Sequence, residues 1–156
     1  MGNHMPPGRV ILMAGVPGSG KSHYVNNKLG LSRESVVSAD NFFVGSDGVY
    51  RFDPSQLGAA HGDCLRGFVS SLHQGLRTVV VDNTNTTAIE MSPYVALAAA
   101  YGYEVEIVRV GCDPAVAAAR NTHGVPERAV RAMAERLDKT FQEGLPPFWN
   151  VKVTAV

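Results

Sequence analysis

The stretch Gly15-Val16-Pro17-Gly18-Ser19-Gly20-Lys21-Ser22 constrains this chain more than any other, because it follows a short apolar run, Val10 to Ala14, and opens a helical pattern. Its spacing is that of a phosphate-binding loop, G-x-x-x-x-G-K-[ST]. The glycines permit a backbone whose successive N–H groups converge on a phosphate, and the helix behind adds the positive end of its dipole. At average residue usage, a chain this long meets the four fixed positions by chance on the order of once in a hundred. A strand turning into a helix is also the context the motif requires. The chain is therefore expected to bind a nucleoside triphosphate, ATP or GTP. Gly15, Pro17, Gly18, Ser19, Gly20, Lys21, Ser22 and His23 are the expected contacts, with Lys21 reaching the β/γ-phosphates and Ser22 ligating Mg²⁺.

Five apolar runs of strand length alternate with helical segments: Val10–Ala14, Val36–Ala39, Thr78–Asp82, Glu104–Val110 and Val151–Thr154. Such alternation predicts a parallel sheet covered by helices on both faces. Helices are expected from Lys21 to Lys28, closed by Gly30, and from Pro54 to Gly75, where Leu57, Ala60, Cys64, Leu65, Phe68 and Leu72 recur at helical spacing. Ser92-Pro93 reads as an N-cap and first turn closed by Tyr101-Gly102, and Asp113-Pro114 and Val125-Pro126-Glu127 open two more helices. In the last, Val130, Met133, Leu137 and Phe141 form the core stripe. Glu143 to Asn150 is loop. Phe42 to Asp53, with the turn signal Asp47-Gly48, predicts a small hairpin or ordered loop over the site.

The 156 residues, 45% apolar and 18% charged, suit one globular domain over residues 6–156. Met1 to Met5 reads as an expression-tag remnant. No apolar run approaches the roughly 20 residues that span a bilayer, and no signal-peptide pattern is visible, so a cytoplasmic setting without membrane contact is expected. Cys64 and Cys112 lack metal-ligand or C-x-x-C spacing and are expected as reduced structural thiols. Fourteen basic and fourteen acidic residues leave no net field for a long polyanion, while a short strand end is still an admissible substrate.

Chemistry is expected where the strands end, since ligands of open parallel sheets sit beyond the carboxyl edges. Asp40, closing Ser38-Ala39-Asp40, is a candidate base for an attacking hydroxyl; a capping or turn aspartate is the alternative. Val79-Val80-Val81-Asp82 has the form of a strand ending in an acid that steadies Mg²⁺. Asn83, Thr84 and Asn85 then add polar side chains at the same edge, as a ligand-facing cluster or a plain turn. Arg120 to Gly124, between two helices, is a candidate lid carrying a cation over the transferring phosphoryl group. His123 is a candidate base or a structural histidine, and His61 reads as a hydrogen-bonded core residue. Phe42, Phe43, Tyr50 and Phe52 could stack an acceptor base or plug the loop.

Together these residues resemble a P-loop kinase family that includes the polynucleotide 5′-hydroxyl kinases and small AAA-type and zeta-toxin-like ATPases. The likeness rests on Gly15 to Ser22, Ser38-Ala39-Asp40, Tyr50-Arg51-Phe52-Asp53-Pro54, Ala60-His61, Val81 to Asn85, Met91-Ser92-Pro93-Tyr94 and Arg120 to Pro126. It implies an α/β three-layer sandwich with a five-stranded parallel sheet in the order 2-3-1-4-5. It also implies Lys21, Asp40 and Arg120 as catalytic residues, with Asp40 the base and Arg120 the lid arginine. Ser22 and Asp82 would contact Mg²⁺, and Asp40, Phe43, Asp82, Thr84 and Asn85 would line the acceptor side. Phe43 stands where viral polynucleotide kinases of the family carry an arginine, and the lid is shorter than theirs. The implied reaction is transfer of the ATP or GTP γ-phosphoryl group to a hydroxyl, first of all a 5′-hydroxyl of DNA or RNA or a hydroxyl on a modified DNA base. A small-molecule kinase acting on a nucleoside, sugar nucleotide or antibiotic is the second reading, and a nucleotide-binding switch without transfer the third.

Overall fold

The computed structural model describes residues 5–156, so most of the expected tag remnant, Met1 to His4, lies outside the described residues. Five strands, β1 (Arg9–Ala14), β2 (Val36–Val37), β3 (Thr78–Val81), β4 (Glu104–Arg109) and β5 (Val151–Ala155), pair in parallel in the order β2-β3-β1-β4-β5. The predicted α/β sheet and its order are thus observed. Central β1 explains why its sequence shows no polar alternation. Val10, Leu12 and Ala14 point to one covered face, Ile11 and Met13 to the other, and all five are wholly buried.

One face is covered by α2 (Leu57–His73) and α3 (Ala88–Ala100), whose Phe68, Leu72, Met91 and Ala98 join the β1 residues in the main core. Leu137 of α5 (Glu127–Glu143) joins the same core. The other face packs on Val25, which lies in the wider, π-helical turns over Tyr24–Leu29 that continue α1 (Lys21–His23) and end at Gly30. Asp113 caps α4 (Pro114–Arg120) by accepting from the N–H groups of Ala115 and Val116 at 2.9 and 3.3 Å. Among the described residues no helix is long and apolar enough to cross a membrane.

Four expectations need correction. The second strand stops at Val37 instead of reaching Ala39, because Ser38 Oγ accepts from the Asp40 N–H at 3.3 Å and starts a 3₁₀ turn over Ala39–Phe43. The long helix is α-helical only from Leu57; Asp53 caps a preceding 3₁₀ turn, Pro54–Gln56. His61 is exposed: the first turn of α2 leaves Leu57 and His61 in solvent and buries its apolar face from Ala60 onward. Finally, α3 starts four residues before Ser92. Thr87 Oγ1 accepts from the Glu90 N–H at 3.2 Å while the Glu90 carboxylate takes the Thr86 N–H at 2.6 Å, a capping box displaced by one position. Pro93 therefore lies inside the helix, where it removes the one N–H that would reach the Ile89 carbonyl.

The hairpin signalled by Asp47-Gly48 is present. Val44 and Tyr50 pair antiparallel, the Gly45 N–H donates to the Val49 carbonyl at 3.0 Å, and Arg51 grips the Asp47 carboxylate with contacts of 2.7 and 3.1 Å.

Candidate active site

The loop between β1 and α1 packs against α4. Gly18 has φ +81°, and a Cβ placed on it would lie 2.0 Å from the Ala117 carbonyl oxygen. Only a residue without a side chain lets the loop and the helix approach this closely. Gly20 has φ +102° with open space around it, so there the requirement is purely conformational. The Gly15 N–H donates to the Thr84 carbonyl at 2.9 Å, and Asn85 Nδ2 donates to the Met13 carbonyl at 2.7 Å. These two bonds anchor the entrance of the loop to the segment after β3.

At the helix start, Lys21 Nζ donates to the Val16 carbonyl at 3.0 Å, and Ser22 Oγ donates to Asp82 Oδ2 at 2.9 Å. The predicted metal pair is thus in contact. Burial pushes the Asp82 carboxyl above its ordinary range, opposed by the Lys21 charge and the Ser22 hydrogen bond. Burial likewise holds Lys21 below the ordinary lysine value, with the carboxylates of Asp82 and then Asp40 pulling it back up. His23 is exposed and its Nδ1 lies 3.1 Å from Asn27 Nδ2.

The arrangement fits a Mg²⁺–nucleotide. Ser19 Oγ is buried and has no hydrogen-bond partner among the described residues, and it sits inside a loop whose two left-handed glycines turn the backbone around it. A phosphate oxygen would supply the missing partner. Ser22 and Asp82 are hard oxygen donors suited to Mg²⁺, which takes most of its remaining ligands from phosphate and water.

Asp40 is half exposed and both of its oxygens are engaged. Tyr50 Oη donates to Oδ1 at 3.2 Å, and His123 Nδ1 lies 3.5 Å from Oδ2. The Tyr50 and His123 rings stack with centroids 4.3 Å apart and planes 18° from parallel. Burial and the adjacent Asp40 push the Tyr50 hydroxyl up to about 12, so it remains a donor across the physiological range. Behind Asp40, Asn83 Oδ1 accepts from the Ala39 N–H at 2.9 Å and its Nδ2 meets Cys64 Sγ at 3.5 Å; Tyr94 Oη also meets that sulfur, at 3.3 Å. A chain of buried polar contacts therefore runs from α3 through α2 to the turn that carries Asp40.

Arg120 ends α4 and is exposed, three residues after the Ala117 carbonyl that touches Gly18. The following lid is stapled by one side chain: Asn121 Nδ2 donates to the carbonyls of Ala118 and Val125 at 2.8 and 3.0 Å, and Asn121 Oδ1 accepts from the Val125 N–H at 2.9 Å.

Lys21, Ser22, Asp82 and Asp40 are thus gathered at one edge of the sheet, as the strand-end argument expects. Two expected acceptor-side residues have another place. Phe43 is buried against Phe42, Tyr50 and Phe52, and Asn85 is buried at φ +46° with its amide spent on Met13. Thr84 is half-buried and offers its carbonyl to Gly15. Cys64 and Asn121 are the residues whose place in the site sequence reasoning missed; Tyr50 and Asn83 are expected there as a stacking ring and as part of the polar cluster, but their hydrogen bonds to Asp40 and to the Ala39 N–H are not.

Residues 10–143 match the family described as AAA domain. The chain is 32% identical over 135 residues to NEDD4-binding protein 2 of Homo sapiens, an alignment covering 83% of this chain and 8% of that protein. It therefore spans a small fraction of that curated relative. A chain of the Pnkp1/Rnl/Hen1 RNA repair complex superposes with a TM-score of 0.73 at 16% identity, covering 95% of this chain and 50% of the other. A gluconokinase from Sinorhizobium meliloti 1021 superposes with a TM-score of 0.54 at 15% identity, covering 96% and 83% respectively. Both share the kinase-like P-loop fold.

Proposed function

The chain belongs to the AAA-domain family matched by residues 10–143, and from that premise we propose that it is a P-loop phosphotransferase. It moves the γ-phosphoryl group of ATP or GTP to a hydroxyl, first of all the 5′-hydroxyl of a DNA or RNA end or a hydroxyl on a modified DNA base. The observation that carries this reading is Asp40. Its carboxylate is close enough to Lys21 to support the ammonium charge, yet it takes no part in the Ser22–Asp82 pair. A nucleotide clasp needs no second carboxylate; a kinase needs one to receive a proton.

In this mechanism the loop N–H groups and Lys21 hold the phosphates, and Ser22 and Asp82 would hold Mg²⁺, which when bound would neutralise phosphate charge. Asp40 orients the acceptor hydroxyl and takes its proton as the new O–P bond forms and the bond to the β-phosphate oxygen breaks. Arg120 offsets charge on the transferring group. Most of the rate comes from position and charge.

The test is transfer of labelled γ-phosphate to a 5′-hydroxyl oligonucleotide by wild type and Asp40→Asn, beside a panel of nucleosides and sugar nucleotides. Loss of transfer with ATP binding retained supports the reading. Bound ATP with no transfer to any acceptor sinks it. Zero formal net charge and the buried phenylalanine at position 43 favour the second reading, a small-molecule acceptor. Acceptor binding that does not weaken with salt would select it, since a neutral acceptor releases no counterions.

A further inference from the structure

Both oxygens of the Asp40 carboxylate are engaged, by two residues from different segments, Tyr50 of the hairpin and His123 of the lid. The two contacts differ in kind. Tyr50 donates a hydrogen bond through its hydroxyl and offers the flat of its ring as a stacking face. His123 covers that ring with its own and places Nδ1 beside Oδ2. One planar group with a polar atom at its edge thus satisfies two surfaces at once, an aromatic face and a carboxylate oxygen.

We propose that His123 stands in the acceptor's place, so that the acceptor is a hydroxyl compound with a flat ring that displaces the imidazole from Tyr50 as its hydroxyl displaces Nδ1 from Asp40 Oδ2. This rests on the reading of Asp40 as base and narrows the acceptor to a ring-bearing class, such as a nucleoside or the terminal nucleotide of a strand. Tyr50 is then a positioning residue in two senses. Its hydroxyl holds Oδ1 so that Oδ2 faces the acceptor, and its ring sets the acceptor's plane. The centroid separation of 4.3 Å leaves no room for a third ring between the two residues, so His123 must leave before the acceptor stacks. The lid is built for this: Asn121 staples the backbone on both sides of the tip, at Ala118 and Val125, so that the His123 side chain, about a third exposed, can leave without the staple breaking. The other hairpin aromatics do not compete for this role, because Phe43 is buried and packs edge-on against Tyr50 and Phe52.

The test uses thymidine and a 5′-hydroxyl oligothymidylate as ring-bearing probes and sorbitol as a ring-free hydroxyl compound. Each is assayed by phosphate transfer and by calorimetric binding in the presence of a non-hydrolysable ATP analogue. Tyr50→Leu is expected to weaken binding and raise KM for the ring-bearing probes by about tenfold, the order expected for one lost base–aromatic stack, to leave the KM for sorbitol where it was, and to lower kcat for every probe because the hydroxyl that holds Asp40 is lost. Tyr50→Phe is expected to restore binding and KM while kcat stays low, since the ring returns and the hydroxyl does not. His123→Ala is expected to tighten binding of the ring-bearing probes about threefold or more. Equal effects on binding and KM for all probes, or weaker ring-probe binding in His123→Ala, would overturn the proposal. Wild type that transfers to no probe but binds the ring-bearing ones in this pattern would refute the kinase reading and leave the stacking site standing. A salt-dependent preference for the oligothymidylate over thymidine identifies a strand end as the source of the ring.

Discussion

Ser22 Oγ donates to Asp82 Oδ2 at 2.9 Å although 60 residues separate them in sequence. The contact joins the first turn of α1 to the end of β3 and brings two oxygen donors together before any ion is considered. It does so at a desolvated spot, where the Asp82 carboxyl sits above its ordinary range and Lys21 below its own, each for reasons of burial first.

Asp82 and Lys21 should therefore behave as a coupled pair in stability. For Asp82 the folded-state value is raised, so stability declines as pH rises from the ordinary carboxylate range through that value. For Lys21 it is lowered, so stability recovers only as pH climbs from the folded value towards 10.5. Removing one partner alone leaves a half-buried charge, and removing both does not. We expect Asp82→Asn and Lys21→Met each to lower unfolding free energy near pH 7, and the double variant to recover about 1 kcal/mol or more of their sum. Urea denaturation of all four proteins at pH 7 measures this; strict additivity would refute it.

Gly18 and Gly20 should respond differently to alanine. At Gly18 a Cβ meets the Ala117 carbonyl at 2.0 Å and the backbone is left-handed, whereas at Gly20 only the backbone term applies. Gly20→Ala is expected to cost about 1 kcal/mol. Gly18→Ala should cost more, and because the clash lies on α4 it should also weaken ATP binding. Thermal melts with ATP titrations separate the two terms.

Asn83→Ala should reach Asp40 without touching it. The substitution strips the Ala39 N–H of its acceptor inside the protein, a loss of about 1–3 kcal/mol. It also frees the turn that aims Asp40. The expected signature is a lower kcat with nucleotide affinity unchanged, measured by steady-state kinetics beside ATP titration.

Cys64 should be silent where Cys112 reacts. Burial pushes the Cys64 thiol up despite hydrogen bonds from Tyr94 and Asn83, while Cys112 is partly exposed. With the folded value raised, stability present below the ordinary thiol range is lost as pH climbs through it. Iodoacetamide at pH 8 is expected to modify Cys112 alone in the native protein and both thiols in urea. Equal native labelling would contradict the buried setting.

What could be read in advance was local. The phosphate-binding loop announces itself by residues within one turn of each other, and β1 by a continuous apolar run that only a doubly covered strand needs. Val79 to Asp82 gave, by the same logic, a buried strand with an acid at its end, which Ser22 contacts. The rest depended on distant partners. Ser38 ends β2 through a side chain whose competing hydrogen bond is invisible in an apolar count. Glu90 draws the start of α3 back to Thr87, overriding the Ser92-Pro93 signal. His61 follows the helical stripe in sequence but is exposed on α2, where burial is carried by Ala60 and Cys64. His123 looked isolated because its partners, Asp40 and Tyr50, lie more than seventy positions away. Phe43 and Asn85 are expected on the acceptor side from their residue types and the family likeness, and packing buries both instead.

The lid has a natural seam. Up to Ala117 its backbone is pressed on the nucleotide loop, and at Asn121 one amide closes the tip as a separate ring of hydrogen bonds. Residues 122–124 lie inside that ring and bear none of the load between α4 and the loop. Acceptor preference could thus be exchanged by grafting this tripeptide alone, with Asn121 and Val125 as fixed borders and the phosphate grip carried over intact.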